Sequence, residues 1–130
     1  AYAEYVYHRP GFPKALDYIK AGAPVIGLRT FSKMYGLAGL RVGYGVADAR
    51  LIKAMNQARS PFNVNLAAQV AATAAVNDHA FVQRSLQTNT GGLAQLYAGF
   101  DALGLPYIPS FANFVLVDTK APCRDVFTAL

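Results

Sequence analysis

The sequence predicts an α/β fold, and three observations carry the prediction. Short apolar strand patterns alternate with helical patterns through the first half of the chain. A long helical pattern follows and leads into a further strand in the second half, which reads as the entry to a separate α/β element. The 130 residues are 54% hydrophobic and only 15% charged, with a mean hydropathy of +0.23, enough to bury a core. No window approaches the roughly 18 uninterrupted apolar residues of a membrane span. The first residues lack a leader pattern, because Glu4, His8 and Arg9 interrupt the early apolar run. A soluble, cytoplasmic chain without membrane partners is therefore expected. The single Cys123 can close neither an internal disulfide nor a cysteine-based zinc site, and reads as an ordinary, partly buried thiol.

The elements follow in order. "AYAEYVY", residues 1–7, alternates small and aromatic side chains and reads as a strand end closed by Pro10-Gly11. Residues 14–21 carry a short helical pattern ended by Gly22 and Pro24. Strands are expected over 25–30 and 40–47. Asp48 is a suitable N-cap for a helix whose Leu51, Ile52 and Met55 share one face. Ser60-Pro61 breaks the chain, and the alanine-rich stretch 65–77 predicts a closely packed, nearly buried helix. A second long helix is expected from the Asp78 cap to Leu103, with Gly104 ending it. Gly91-Gly92 falls inside it and signals either a close helix contact or a kink. "FANFVLVDT", 111–119, reads as a strand between Pro109 and Pro122.

The net charge of +5 is uneven. Residues 1–59 hold nine Lys/Arg against three acids, a balance of +6, and residues 60–130 hold three against four, a balance of −1. No two basic residues are adjacent, so nothing tracks a nucleic-acid backbone. A small anionic ligand fits better, although a non-catalytic basic module for phosphates or nucleic acid is the alternative from another class. His8 and His79 have no acidic or cysteine neighbours at metal-ligand spacing, which speaks against a metal site.

The positive charge centres on "RTFSKMYGLAGLRVGYG", residues 29–45. It matches neither the dinucleotide fingerprint nor the P-loop, and no G-x-S-x-G elbow is present. Thr30 and Ser32 stand two apart at a strand end, so their hydroxyls share a side. Lys33 follows directly, glycines 36, 39 and 43 allow close backbone approach, and Arg41 lies eight residues beyond Lys33 with a planar fork suited to phosphate. Two hydroxyls and an arginine make a phosphate cup. A lysine beside that cup is placed to condense with an aldehyde on the same molecule, and pyridoxal phosphate carries both groups.

This segment is similar to the cofactor-lysine segment of the fold-type I, pyridoxal-phosphate-dependent aminotransferases, most of all to the histidinol-phosphate aminotransferase branch. "AYAEY", "SPFNVN" and "PSFANFVLV" resemble further stretches of that branch in the expected order, so the resemblance spans nearly the whole chain. It implies the C-terminal part of a large cofactor-binding domain over 1–80, and an interdomain helix with the start of the small α/β domain over 81–130. It implies that Lys33 anchors the cofactor covalently and moves the substrate Cα proton. Thr30, Ser32 and Arg41 would hold the phosphate, and Tyr2 would bond the cofactor's phenolic oxygen. The loop at Asn63 would approach a second subunit of a homodimer. The implied reaction moves an amino group between histidinol phosphate and 2-oxoglutarate in histidine biosynthesis. An aromatic-amino-acid aminotransferase and a threonine-phosphate decarboxylase are sister alternatives. Met34 departs from the small residue usual after the lysine and is expected to crowd the turn. The aspartate that pairs the pyridinium nitrogen, the arginine that grips the substrate carboxylate and half of the large domain are expected outside residues 1–130, so these residues alone are expected to be inactive.

Overall fold

The structure is a computed structural model that describes residues 1–130, and it divides into two compact units, Ala1–Val82 and Gln83–Leu130. In the first, α1 (Ala15–Lys20) precedes the strand β1 (Gly27–Thr30), which pairs antiparallel with β2 (Gly43–Val46); α2 (Ala49–Ala58) and α3 (Leu66–Asn77) follow. The helix α4 (His79–Ala102) begins in the first unit and runs on into the second, which also holds β3 (Tyr107–Ile108), β4 (Leu116–Val117) and α5 (Cys123–Ala129). No helix is long and apolar enough to cross a membrane.

Side-chain caps set the helix starts that the sequence marks. Asp48 accepts from the Arg50 backbone N–H at 2.9 Å to open α2. Asn65 accepts from Ala68 N–H at 2.8 Å to open α3, and Asp78 from Phe81 N–H at 2.8 Å to open α4. Gly104, at φ +64°, closes α4: Leu105 N–H reaches the Phe100 carbonyl and Gly104 N–H reaches that of Asp101. That pair of bonds satisfies carbonyls which a helix end otherwise leaves open.

Several expectations change. The opening residues form a 3₁₀ turn over Ala3–Tyr5 instead of a strand. No strand pairs with them, and the turn buries Ala3, Tyr5 and Val6 together, which a period-two strand cannot do. The strand expected over 40–47 begins only at Gly43, because Ala38–Leu40 winds into a second 3₁₀ turn and Arg41 takes φ +52°. Helix α3 is not nearly buried: Ala68 and Ala72 are, one turn apart, while Leu66, Val70 and Val76 are exposed. Its alanine content therefore marks one stripe, against which Phe31 and Val42 pack.

The strand expected over 111–119 shrinks to Leu116–Val117. Residues 110–112 satisfy their backbone groups with side chains instead of a strand ladder. The Tyr97 hydroxyl donates to the Ser110 carbonyl at 3.0 Å and accepts from Ser110 N–H at 2.7 Å. Ala112 N–H bonds the Ser110 hydroxyl, and Asn89 Nδ2 donates to the Ala112 carbonyl. Tyr97 also stacks on Tyr107, with centroids 4.8 Å apart and planes 7° from parallel. Cys123 is exposed at the start of α5, not partly buried. Helix α4 runs unbroken through Gly91-Gly92, and a Cβ on either glycine would meet nothing within 4 Å, so no close contact of the chain with itself explains the pair.

Candidate functional site

Alternation along the β1–β2 hairpin separates a core face from an open face. The register pairs Gly27 with Val46, Leu28 with Gly45, Arg29 with Tyr44 and Thr30 with Gly43. Phe31 N–H extends the ladder by one bond to the Val42 carbonyl at 3.2 Å. Phe31 and Val42 turn to the core beside Ala68 and Ala72. Thr30 and Ser32 then fall on the opposite face, and Arg41 closes the 3₁₀ turn that leads into β2. Gly43, opposite Thr30, has no room for a side chain: a Cβ there would lie 2.5 Å from the Arg29 carbonyl oxygen.

The turn between the strands is fixed at both ends. Leu37 N–H bonds the Phe31 carbonyl at 2.9 Å, and Gly36 N–H bonds the Lys33 carbonyl at 3.0 Å, with Gly36 at φ +69° as such a turn favours. Met34 is 2% exposed, the largest fully buried side chain of the chain. The side chain after the lysine is thus fully enclosed, while the neighbouring Lys33 stays exposed. Met34 is the residue that sequence reasoning undervalued, and its signal was an apolar residue following a cation.

The predicted residues arrange themselves as follows. Thr30 Oγ1 donates to Ser32 Oγ at 2.9 Å and accepts from Ser32 N–H at 3.1 Å. Lys33 Nζ stands 5.8 Å from the centroid of the Tyr2 ring, so the structure brings Tyr2 to the lysine across 31 positions of sequence (33 − 2). Arg41 anchors one guanidinium nitrogen on the Ala38 carbonyl at 2.8 Å and is otherwise exposed. Its left-handed backbone is sparsely populated for a residue with a side chain, and such departures gather at functional positions. Asn63 is exposed, beside Phe62 at φ +53°.

Two further phenols, Tyr5 and Tyr35, are part of the packed first unit. Burial, reinforced by Glu4 and then Tyr2, pushes the Tyr5 pKa above its usual value. Burial likewise raises that of Tyr35, with Glu4 and Tyr44 adding to the shift and Arg29 opposing it. Both stay protonated at neutral pH. On the opposite face, Arg29 lies over the Tyr7 ring at 4.8 Å and bonds the Leu28 carbonyl, so it belongs to the packing of β1 and not to the Thr30–Ser32 face. The open face carries the two hydroxyls, and the exposed Lys33 amine and Arg41 guanidinium belong to the turn that follows it. These donors suit an anionic group flanked by an electrophilic carbonyl, which matches the phosphate and aldehyde of pyridoxal phosphate.

The profile of the family described as aminotransferase class I and II matches residues 1–129. The chain belongs to the class I and II aminotransferases. It is 53% identical over 131 residues to a histidinol-phosphate aminotransferase of Moorella thermoacetica, which covers all of this chain and 34% of that protein. It is 53% identical to histidinol-phosphate aminotransferase 1 of Nitrosococcus oceani, again over all of this chain and 35% of the relative. A crystal structure of a proposed histidinol-phosphate aminotransferase from Erwinia carotovora atroseptica superposes with a TM-score of 0.91 at 38% identity, over 99% of this chain and 37% of that one. The chain therefore spans about a third of the length of the relatives it matches. Class I and II aminotransferases are pyridoxal-phosphate enzymes, so the α/β fold found here is part of that architecture.

Proposed function

We propose that these residues are the central-to-late section of a histidinol-phosphate aminotransferase. That enzyme would exchange an amino group between histidinol phosphate and 2-oxoglutarate with pyridoxal phosphate as cofactor, in histidine biosynthesis in the cytoplasm. The observation that carries the reading is the open face of the hairpin. There a hydroxyl pair is followed directly by an exposed lysine, in a chain 53% identical along its whole length to proteins of that name.

In this reading Thr30, Ser32 and Arg41 hold the cofactor phosphate, with the Arg41 guanidinium supplying the charge. Lys33 holds the cofactor through its amine, and Tyr2, beside the lysine, donates its phenolic proton to the cofactor ring's oxygen. When bound, the cofactor supplies an aldehyde that accepts the amino group and a ring that withdraws electrons from the substrate Cα. Lys33, once its amine is free and neutral, takes the proton from the substrate Cα and returns it on the cofactor side. Residues 1–80 are the end of the large domain, and residues 81–130 are the interdomain helix and the start of the small one. Asn63 and Phe62 lie on the loop proposed to face the second subunit of a homodimer.

The test is made in the complete protein. Lys33→Ala is expected to slow transamination of histidinol phosphate by at least about 100-fold, the scale of a lost proton-transfer group. Borohydride treatment of the unmodified protein is expected to leave cofactor mass on the peptide that holds Lys33. An undiminished rate in Lys33→Ala, or cofactor mass on another peptide, overturns the assignment.

A further inference from the structure

The β3–β4 ladder stops one step short of where its own geometry leads. Tyr107 pairs with Val117 and Ile108 with Leu116, and on the other side of those pairs Asp118 N–H reaches the Pro106 carbonyl at 2.8 Å. Facing residues of an antiparallel ladder alternate between pairs that exchange hydrogen bonds and pairs that do not. Pro106–Asp118 is of the bonded kind and so is Ile108–Leu116. The same count makes Pro109–Val115 a non-bonded pair and Ser110–Phe114 the next bonded one. Pro109 is no obstacle there, because a non-bonded position makes no use of the N–H that proline lacks. The hairpin would then close through Phe111, Ala112 and Asn113, a three-residue loop whose last position is left-handed and suits asparagine.

Ser110 makes that exchange with a side chain instead. Its N–H donates to the Tyr97 hydroxyl at 2.7 Å, and the hydroxyl donates to its carbonyl at 3.0 Å. Both directions are fixed, since an N–H only donates and a carbonyl only accepts. One phenol oxygen thus takes both backbone groups that the next rung of the ladder uses. Asn89, on the same helix α4, holds the Ala112 carbonyl at 3.2 Å, and the Tyr107 ring stacked on Tyr97 keeps the phenol in place. We propose that Tyr97 is a stop for the β3–β4 hairpin, its hydroxyl deciding between two courses of residues 108–116: a bend tied to α4, and a hairpin one bonded pair longer. With the hydroxyl present the segment bends. Without it, the N–H and carbonyl of the half-buried Ser110 pair with Phe114, because burying them unpaired is costly. The side chains that change place are those of Phe111 and Asn113, which pass from the bend to the tip of the hairpin.

The experiment compares crystal structures of the complete protein as the parent and as Tyr97→Phe, which keeps the ring and loses only the hydroxyl. The variant is expected to bring the Ser110 N–H and carbonyl within about 3.2 Å of the Phe114 carbonyl and N–H. Amide exchange at Ser110 is expected to stay within about threefold of the parent, since one partner has replaced another. Exchange faster by about tenfold or more, the scale of a hydrogen bond lost without replacement, overturns the proposal. So do residues 108–116 that keep the parent's course around the missing hydroxyl or lose their order, and so does a parent that already pairs Ser110 with Phe114. Tyr97→Leu, which also lacks the hydroxyl, takes the place of the phenylalanine variant if that one does not fold. Tyr107→Phe keeps the Tyr97 hydroxyl and loses only the bond from Tyr107 to Asp101. Its ladder is expected to end at Ile108–Leu116 as in the parent; a longer one assigns the stop to ring packing and overturns the role given to the hydroxyl.

Discussion

Glycine serves opposite ends in the two units of this chain. In the β1–β2 hairpin the backbone is so close that Gly43 has no space for a methyl group, which would lie 2.5 Å from the Arg29 carbonyl oxygen, and Gly27 would bring one to 2.8 Å from the Ala15 side chain. In α4 the glycines at 91, 92 and 99 face open space, where the residue only lowers helix stability. The contrast shows where sequence choice answers to crowding within the chain. The hairpin is composed around contacts it makes itself, and α4 keeps its glycines for reasons the chain's own contacts do not supply.

The largest effect expected from this contrast is at Gly43. Gly43→Ala must displace backbone, and it is expected to destabilise the complete protein by about 1–3 kcal/mol, the range of overpacked sites; an unchanged thermal midpoint would show the hairpin to be looser than described. Next comes Gly91→Ala, expected to raise stability by about 1 kcal/mol through helix propensity alone. Denaturant unfolding measures it, and a loss of stability would reveal another segment of the complete protein seated on that turn. The smallest effect lies where the hairpin hands on to α2. Hydrogen bonds from the Arg50 backbone, then from its side chain, hold the Asp48 carboxyl below its usual pKa, with the Arg50 charge adding to this against a small opposing desolvation. Its folded pKa is below the unfolded value, so the cap's contribution is complete above about pH 4 and is lost as pH falls through the folded pKa. Asp48→Asn is expected to flatten that part of a thermal-midpoint profile between neutral and acid pH; an identical slope in both proteins would mean that the cap carries no pH dependence.

What was legible in the sequence was what local chemistry decides. Asp48 and Asp78 declare helix starts and Gly104 a helix end, because a cap needs only its own few neighbours. The pairing of the Thr30 and Ser32 hydroxyls was legible for the same reason: strand alternation alone puts them on one side. Several of the failures involve partners distant in sequence. Residues 111–119 have a strand's composition, yet the Tyr97 hydroxyl, 13 residues before Ser110, takes over the hydrogen bonds a ladder would have used. The opening residues alternate as a strand does but find no strand to pair with. The burial of Met34 is likewise marked by no local pattern. The proximity of Tyr2 to Lys33 was implied only by family likeness, for nothing in the spacing of two residues 31 apart brings them together.

The hairpin also bears on the order of assembly. Thr30 and Gly43 pair across only 12 intervening residues (31–42), and a loop of that size closes at small entropic cost and on a sub-microsecond scale. The hydroxyl pair, the lysine and the arginine all lie on that one loop and its two stems. The residues proposed to hold the phosphate are therefore brought together by contacts near in sequence, which form fast, while Tyr2 joins from farther away. As the chain folds, the segment proposed to hold the phosphate can take shape before Tyr2 reaches it.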